Sequence, residues 1–207
     1  MSSDKGLAHQ YQKKTDKEHI LDNPDTYIGS VDNLENEAHV FEGDSKRIKK
    51  KAVCMNPGLF KLFDEAIVNC RDHAVRMKNA METCKPNTIP LSAIEIQILE
   101  DGTITMYNDG NGIDIEKHPE YNIWIPELIF GHLRTSTNYD KSEKKIVGGK
   151  NGFGFKLVLI WSTWGQIETV DSKTGQKYIQ TFKNNLDIIE KPIIPKTKCK
   201  PYTCVKF

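Results

Sequence analysis

Glu65 and Asn69 stand four residues apart, and Asp72 follows three further on, in a segment whose Leu59, Leu62, Phe63, Ala66, Ile67, Cys70 and Ala74 repeat at helical spacing. The three polar side chains would project from one helix edge where the buried face meets open space, and that edge could wall a pocket. The same spacing also describes an ordinary solvated helix face, although asparagine is a poor helix former and its mid-helix position asks for a reason. Asp109 lies between a predicted strand end and the glycines of Gly110-Asn111-Gly112-Ile113. There it either meets a flat ligand edge sliding against exposed backbone or closes a tight polar turn. The third group is Gly148-Gly149-Lys150-Asn151-Gly152-Phe153-Gly154-Phe155-Lys156, with four glycines in seven residues, running into Leu157-Val158-Leu159-Ile160-Trp161. A loop of this kind can turn its N–H groups onto a phosphate, with the following helix and Lys156 adding positive charge. It also reads as a flexible connection, and it fits neither the G-x-x-x-x-G-K-[ST] pattern nor the dinucleotide fingerprint.

The elements that must carry these residues follow in chain order. Thr15-Asp16-Lys17-Glu18 predicts a capped short helix through Leu21, stopped at Asn23-Pro24, and Pro24 to Ser30 has turn chemistry around Tyr27. Val31 to Val53 mixes charges and contains Lys46-Arg47-Ile48-Lys49-Lys50-Lys51, which reads as a solvated loop or strand edge in preference to a phosphate contact. The Glu65 helix starts near Gly58. Ile94, Ile96 and Ile98 alternate with polar residues as a strand buried on one face, and Glu100-Asp101-Gly102 turns it into a second strand, 103–107. A helix over Trp124 to Leu133 precedes the hydroxyl-rich Thr135-Ser136-Thr137-Asn138-Tyr139. A helix over Phe155 to Ser162, strands over 166–170 and 177–182, a segment over 186–190 and a terminal strand complete the chain. The strand pattern at Phe207 reads as part of something longer.

Composition narrows the class. The 207 residues are long enough for one sizeable core, and 38% hydrophobic with 28% charged residues is ordinary for a globular domain. Lys+Arg 29 against Asp+Glu 28 gives +1, so no global charge argues for nucleic acid or an anionic membrane. Five scattered cysteines without a C-x-x-C pair, and histidines away from them, predict a reduced intracellular protein without structural zinc. No apolar run reaches membrane-spanning length.

Taken in order, Glu65-x-x-x-Asn69, Asp109-Gly-x-Gly112 and the glycine loop ending in Lys156 resemble the GHKL ATPases, the family of gyrase, a heat-shock chaperone, histidine kinases and mismatch-repair ATPases. Within it the chain is similar to the N-terminal ATPase domain of eukaryote-type (type IIA) DNA topoisomerase II. That likeness rests on Tyr11-Gln-Lys-Lys-Thr15, Glu18-His-Ile-Leu21, Pro24-Asp-Thr-Tyr-Ile-Gly-Ser30, Phe63-Asp-Glu-Ala-Ile-Val-Asn69, Ile129-Phe-Gly131, Thr135-Ser-Thr-Asn-Tyr139 and Gly149-Lys-Asn-Gly-Phe-Gly154. It covers nearly the whole chain.

The resemblance implies an α+β two-layer sandwich, a mixed and mostly antiparallel sheet with helices on one face, with residues 1–30 an arm or strap and 31–207 the ATP-binding domain. It implies ATP and Mg2+ as cofactors. Glu65 would be the general base and Asn69 the metal ligand, with Asp72 at the same pocket edge. Asp109 would take the adenine amino group, with Thr203 supporting it and Ile113, Ile129 and Phe130 as apolar walls. Ser136, Thr137 and Asn138 would bind ribose and phosphate, and Gly149, Lys150, Asn151, Gly152, Phe153, Gly154 and Phe155 would form the lid over the phosphates. Lys156 would stabilise charge at the γ-phosphate. Tyr27 would cross to a partner protomer and touch the nucleotide there, making ATP binding a switch for a homodimer. The parent protein would act on duplex DNA by ATP-driven strand passage, in the nucleus or a viral replication compartment or virion. The alternatives are a nucleotide-gated dimerisation module with little catalysis, and a chaperone or mismatch-repair ATPase, against which the Pro24 to Ser30 strap argues.

Lys150 stands where the resembled pattern carries arginine, Phe155 where it has alanine, Asp109 where it has asparagine, and His73 where it has another asparagine. Such divergence fits an unusual lineage such as a large DNA virus. The resemblance further implies that a charge-stabilising lysine comes from beyond residue 207, so that this chain hydrolyses slowly.

Overall fold

The computed structural model describes residues 13–133, 135 and 153–207. Contacts divide them into two compact units, the chain up to Gly58 and Leu59–Phe207. The strand pair that follows residue 31 falls with the N-terminal unit.

In the N-terminal unit, α1 (Asp16–Asp22) has the predicted capping box: the Thr15 hydroxyl accepts from the Glu18 N–H while the Glu18 carboxylate accepts from the Thr15 N–H. Asn23 ends it, donating from both its backbone and its side chain to the His19 carbonyl. Pro24 then starts a second single turn, α2 (Pro24–Tyr27), where the sequence suggested only a turn. β1 (Leu34–Glu42) and β2 (Arg47–Met55) form an antiparallel hairpin. The basic run lies on this hairpin, where Lys49 and Lys51 share the Glu42 carboxylate and Lys50 reaches Glu37. The run is exposed along its length and mostly on a strand, as the solvated strand-edge reading expects.

The second unit is an α+β sandwich. Its sheet has the order β3-β4-β8-β5-β6-β7, built from β3 (Ile94–Ile98), β4 (Ile104–Asp109), β5 (Trp164–Val170), β6 (Lys177–Lys183), β7 (Ile188–Ile189) and β8 (Tyr202–Lys206). Every pairing in it is antiparallel. Register and alternation put Ile104, Met106 and Asn108 on the same face as Val205, Thr203, Ile167 and Thr169, and this face is the core. Three helices belong to this unit: α3 (Pro57–Glu82), α4 (Ile125–Gly131) and α5 (Gly154–Ile160). Leu159 of α5 and Phe182 of β6 close on Gly165 and Gly131, fixing α5 and α4 to the core face.

A buried polar chain anchors α4: Tyr178 donates to Gln180 at 2.7 Å, and Gln180 donates at 2.9 Å each to Glu127 and to the Glu190 carbonyl. Two expectations fail in this unit. Leu59, placed on the buried stripe of α3, is 57% exposed. Ile94, Ile96 and Ile98 share the core face yet are 38%, 43% and 65% exposed, because β3 is the sheet edge and little packs over it.

Candidate functional site

Glu65 lies half-buried on α3, and a methyl group added at Gly154 would sit 3.2 Å from its Oε2. The candidate base thus touches the start of α5, which only glycine lets it approach so closely. Lys61, one turn before, pairs with the Glu65 Oε1 at 2.6 Å, and this bond raises the lysine pKa. Asn69 is exposed and its amide N–H donates to the Glu65 carbonyl at 2.8 Å. With the nitrogen so held, the side-chain oxygen is turned outward, the donor a hard cation requires, so the residue fits Mg2+. Asp72 departs from the expected open edge. It is 4% exposed and receives the Arg71 guanidinium at 3.3 Å, so it belongs to the interior of α3's packing.

The turn after β4 is pinned from both sides. Gly110 sits at φ +92°, and an added Cβ at Gly112 would fall 1.8 Å from the Val170 carbonyl oxygen. Beyond it, the Ile113 N–H donates to the Thr169 hydroxyl and the Ile115 N–H to the Asp171 carboxylate. This corrects the assignment of Asp109. Its carboxylate accepts from the backbone N–H groups of Ser92 and Ala93 and from the Ser92 hydroxyl. Partial burial would raise its pKa, but those bonds outweigh it and hold it below the usual carboxylate range. Strand alternation is the reason: Asp109 and Asn108 point to opposite faces, and Asn108 is the one on the core face, 5% exposed.

Asn108 is registered directly opposite Thr203, and Thr203 opposite Thr169, giving a polar row across three strands. Asn108 gives its amide N–H to the Asp109 carbonyl at 3.0 Å, which leaves its side-chain oxygen to accept. Thr169 gives its proton to the Tyr202 carbonyl, so Thr203, 3.1 Å away, donates to Thr169 and keeps acceptor capacity of its own. Two acceptors side by side call for an amino group.

Phe155 is a second correction. It is 5% exposed and meets Phe130 and Phe207 edge-on, with ring centroids 5.2 and 5.8 Å away. It is a core residue, and Phe130, 6% exposed, turns inward with it, while Ile129 stays 38% exposed and Ile113 is partly open. Lys156 is 4% exposed and donates to the Thr135 carbonyl at 2.7 Å, and burial brings its pKa down to about 8. Phe153 precedes α5 at its N-cap. Ser136, Thr137, Asn138, Gly149, Lys150, Asn151 and Gly152 lie outside the described residues.

His73 is a residue the sequence reading left without a role. Its ring is bonded to the Asn111 backbone under the Gly110 turn, its Nε2 has no hydrogen-bond partner, and burial with the nearby Arg76 charge brings its pKa to about 4, against the smaller pull of Asp109. The folded pKa lies below the ordinary 6.5. The unfolded chain therefore binds more protons between those values, and stability present above pH 6.5 is lost as pH falls towards 4. A loss of about 3 kcal/mol across that window is expected. Denaturation midpoints of wild type and His73→Asn against pH check it, the variant giving a flatter profile.

The sequence comparisons meet this geometry directly. Residues 55–187 match the family model described as "Histidine kinase-, DNA gyrase B-, and HSP90-like ATPase". The chain belongs to that ATPase family. Domains of this family bind nucleotide, which agrees with the acceptor pair on the core face and the Glu65–Asn69 edge of α3. The chain is 46% identical over its whole length to DNA topoisomerase 2 of Candida glabrata, and covers 14% of that protein. It is 45% identical, over 98% of its length, to DNA topoisomerase 2 of Acanthamoeba polyphaga mimivirus, covering 16% of it. Among solved structures it is similar to the ATPase region of Saccharomyces cerevisiae topoisomerase II, with a TM-score of 0.88 and 45% identity over 97% of this chain and 51% of that one. The likeness to the ATPase region of type II topoisomerases therefore spans the whole chain. The chain itself spans about a sixth or less of the curated relatives named.

The sequence reading missed Lys61, Asn108, Thr169 and Asp171. Asn108 was within reach, since it has the parity of Ile104 and Met106 on one strand, whereas the ion pair of Lys61 and the turn-holding bonds of Thr169 and Asp171 depend on tertiary placement.

Proposed function

We propose that this chain binds ATP with Mg2+ and hydrolyses it, as the nucleotide-driven domain of an enzyme that passes one DNA duplex through another. The observation that carries the reading is the pair of acceptors at Asn108 and Thr203, the first on β4, whose exit turn at Gly110 meets His73 of the helix that bears Glu65 and Asn69. An exocyclic amino group satisfies both acceptors, whereas a carbonyl at the same ring position would leave them unpaired and repelled, which selects adenine over guanine. Ile129 and Ile113 offer the base its apolar wall.

Glu65 is the residue to orient a water and take its proton, with Lys61 paired to its Oε1 at 2.6 Å. Asn69 would hold Mg2+ by its side-chain oxygen; the bound ion would neutralise phosphate charge. Lys156 supplies positive charge at the start of α5 for the terminal phosphate, with its ammonium released from Thr135. Tyr27 reaches the nucleotide of a second copy, so that ATP binding closes a homodimer. Asp109 holds the 92–93 segment in place and Phe155 fills the core, so neither touches nucleotide in this reading.

Calorimetric titration with a non-hydrolysable ATP analogue and Mg2+, with the GTP analogue alongside, tests the pocket. Saturable binding with at least a tenfold preference for the adenine form is expected, and equal affinities would remove Asn108 and Thr203 from base recognition.

A further inference from the structure

Ile113 and Ile115 stand at alternate positions after the Gly110–Gly112 turn, and Thr169 and Asp171 stand at alternate positions where β5 ends. The two pairs meet in step. The Ile113 N–H donates to the Thr169 hydroxyl at 2.9 Å and the Ile115 N–H to the Asp171 Oδ2 at 3.2 Å, each across 56 residues of chain. Two side chains thus supply what the backbone carbonyls of a parallel neighbour would otherwise offer. Between these bonds the Lys173 ammonium reaches the Asp114 carboxylate at 2.6 Å. The Thr169 hydroxyl is also 3.1 Å from that of Thr203, so the main chain at Ile113 starts beside the polar row.

The Asp171 carboxylate serves two segments. Its Oδ1 accepts from the Lys173 N–H at 2.7 Å, and its Oδ2 accepts from the Thr174 hydroxyl at 2.9 Å as well as from Ile115. The β5–β6 turn is closed by backbone too, since the Asp171 N–H donates to the Gln176 carbonyl and the Gly175 N–H to the Asp171 carbonyl. A surface turn bonded in this way has no need of a buried charge, yet Asp171 is 2% exposed. Burial would raise its pKa, but the bonds from Lys173, Ile115 and Thr174 outweigh it and hold it below the usual carboxylate range. The reach to Ile115 is the part that the local turn does not explain.

We propose that Asp171 is a positioning residue for the base pocket: by fixing Ile115 it sets how closely Ile113 stands to the acceptors at Asn108 and Thr203. This rests on the reading in which those residues receive adenine. The acceptors lie on β4 and β8, each paired on both sides within the sheet, and their places are set by the ladder. Ile113 belongs to no strand or helix, so its distance from the row depends on the bonds at 113 and 115. Asp171 itself touches no nucleotide in this arrangement, and Glu65 and Asn69 are carried by α3. Its loss is therefore felt in nucleotide affinity and not in the chemical step.

The test compares wild type, Asp171→Asn and Thr174→Val in the 207-residue chain by KM and kcat for ATP, calorimetric affinity for a non-hydrolysable ATP analogue with Mg2+, and Tm. Asp171→Asn keeps the size of the side chain and one acceptor, but turns the other oxygen into a donor facing an N–H or a hydroxyl. It is expected to raise KM and the analogue Kd about tenfold with kcat within about twofold of wild type. Thr174→Val removes a turn bond from the same carboxylate oxygen and leaves the Ile115 bond, and it is expected to bind as wild type does. Amide hydrogen exchange on the wild type is the second measurement, and it carries the test if Asp171→Asn does not fold: the analogue is expected to slow exchange at Ile113 and Ile115. A loss of kcat as large as the loss of affinity, or an equal loss in Thr174→Val, would make Asp171 a residue of the fold alone and overturn the proposal. Wild-type affinity in a folded Asp171→Asn protein, or exchange at the two amides that ignores the analogue, would overturn it as well. In those cases a wild-type preference for the ATP over the GTP analogue leaves the base-pocket reading standing. If wild type shows no such preference, that reading fails first and this inference falls with it.

Discussion

Glu65→Gln is expected to lower ATP turnover by a factor of about 10² to 10⁴ while leaving the affinity for a non-hydrolysable ATP analogue within about threefold of wild type. The substitution keeps the shape of the side chain and therefore its contact with Gly154. It removes only the group able to accept a proton from water. Lys61 loses its 2.6 Å ionic partner, but that pair is near the surface and contributes little to stability. Phosphate release under single-turnover conditions, read beside calorimetric affinity, separates the two effects. Parallel losses of binding and turnover would make Glu65 a binding residue and end its assignment as base. Asn69→Ala provides the complementary result, in which the dependence of analogue binding on Mg2+ concentration changes and the metal-independent part remains.

Among the described glycines, Gly112→Ala should be the most damaging substitution. The new carbon would stand 1.8 Å from the Val170 carbonyl oxygen, 2.6 Å from its carbon and 2.9 Å from the Thr169 hydroxyl. The first two are backbone atoms at the end of β5, a strand paired on both sides, so they cannot move aside without breaking the ladder with β8 or β6. Relief by moving the turn instead would pull the Ile113 N–H from Thr169 and the Ile115 N–H from Asp171. A cost of about 3 kcal/mol or more follows, which for a domain of this size lowers Tm by roughly 6–12 °C, together with loss of nucleotide affinity. Thermal melts beside a Gly43→Ala control, where an added Cβ meets nothing within 4 Å, measure it. A Gly112→Ala protein that melts with wild type would show that the close approach to Val170 is not present in solution.

Local patterns in the sequence determined a large share of this protein. The capping box at Thr15, the long helix carrying Glu65 and Asn69, the β3–β4 hairpin and the order of the later strands all depend on periodicity and turn chemistry within a dozen residues, and all are found in the structure. The conjunction of three motifs also pointed to the ATPase family without any geometry. Tertiary structure decided what depends on residues far apart in the chain. β8, the last strand, enters the middle of the sheet between β4 and β5, and only that insertion sets Thr203 beside Asn108 and Thr169. It likewise decided that Asn108 faces the core while Asp109 turns away, that Phe155 fills the space between Phe130 and Phe207, and that the β3 isoleucines stay exposed at a sheet edge. The physical reason is the same in each case. Spacing along a chain determines which side chains share a face of one helix or strand, but which face is covered depends on register and packing partners that the local sequence does not contain.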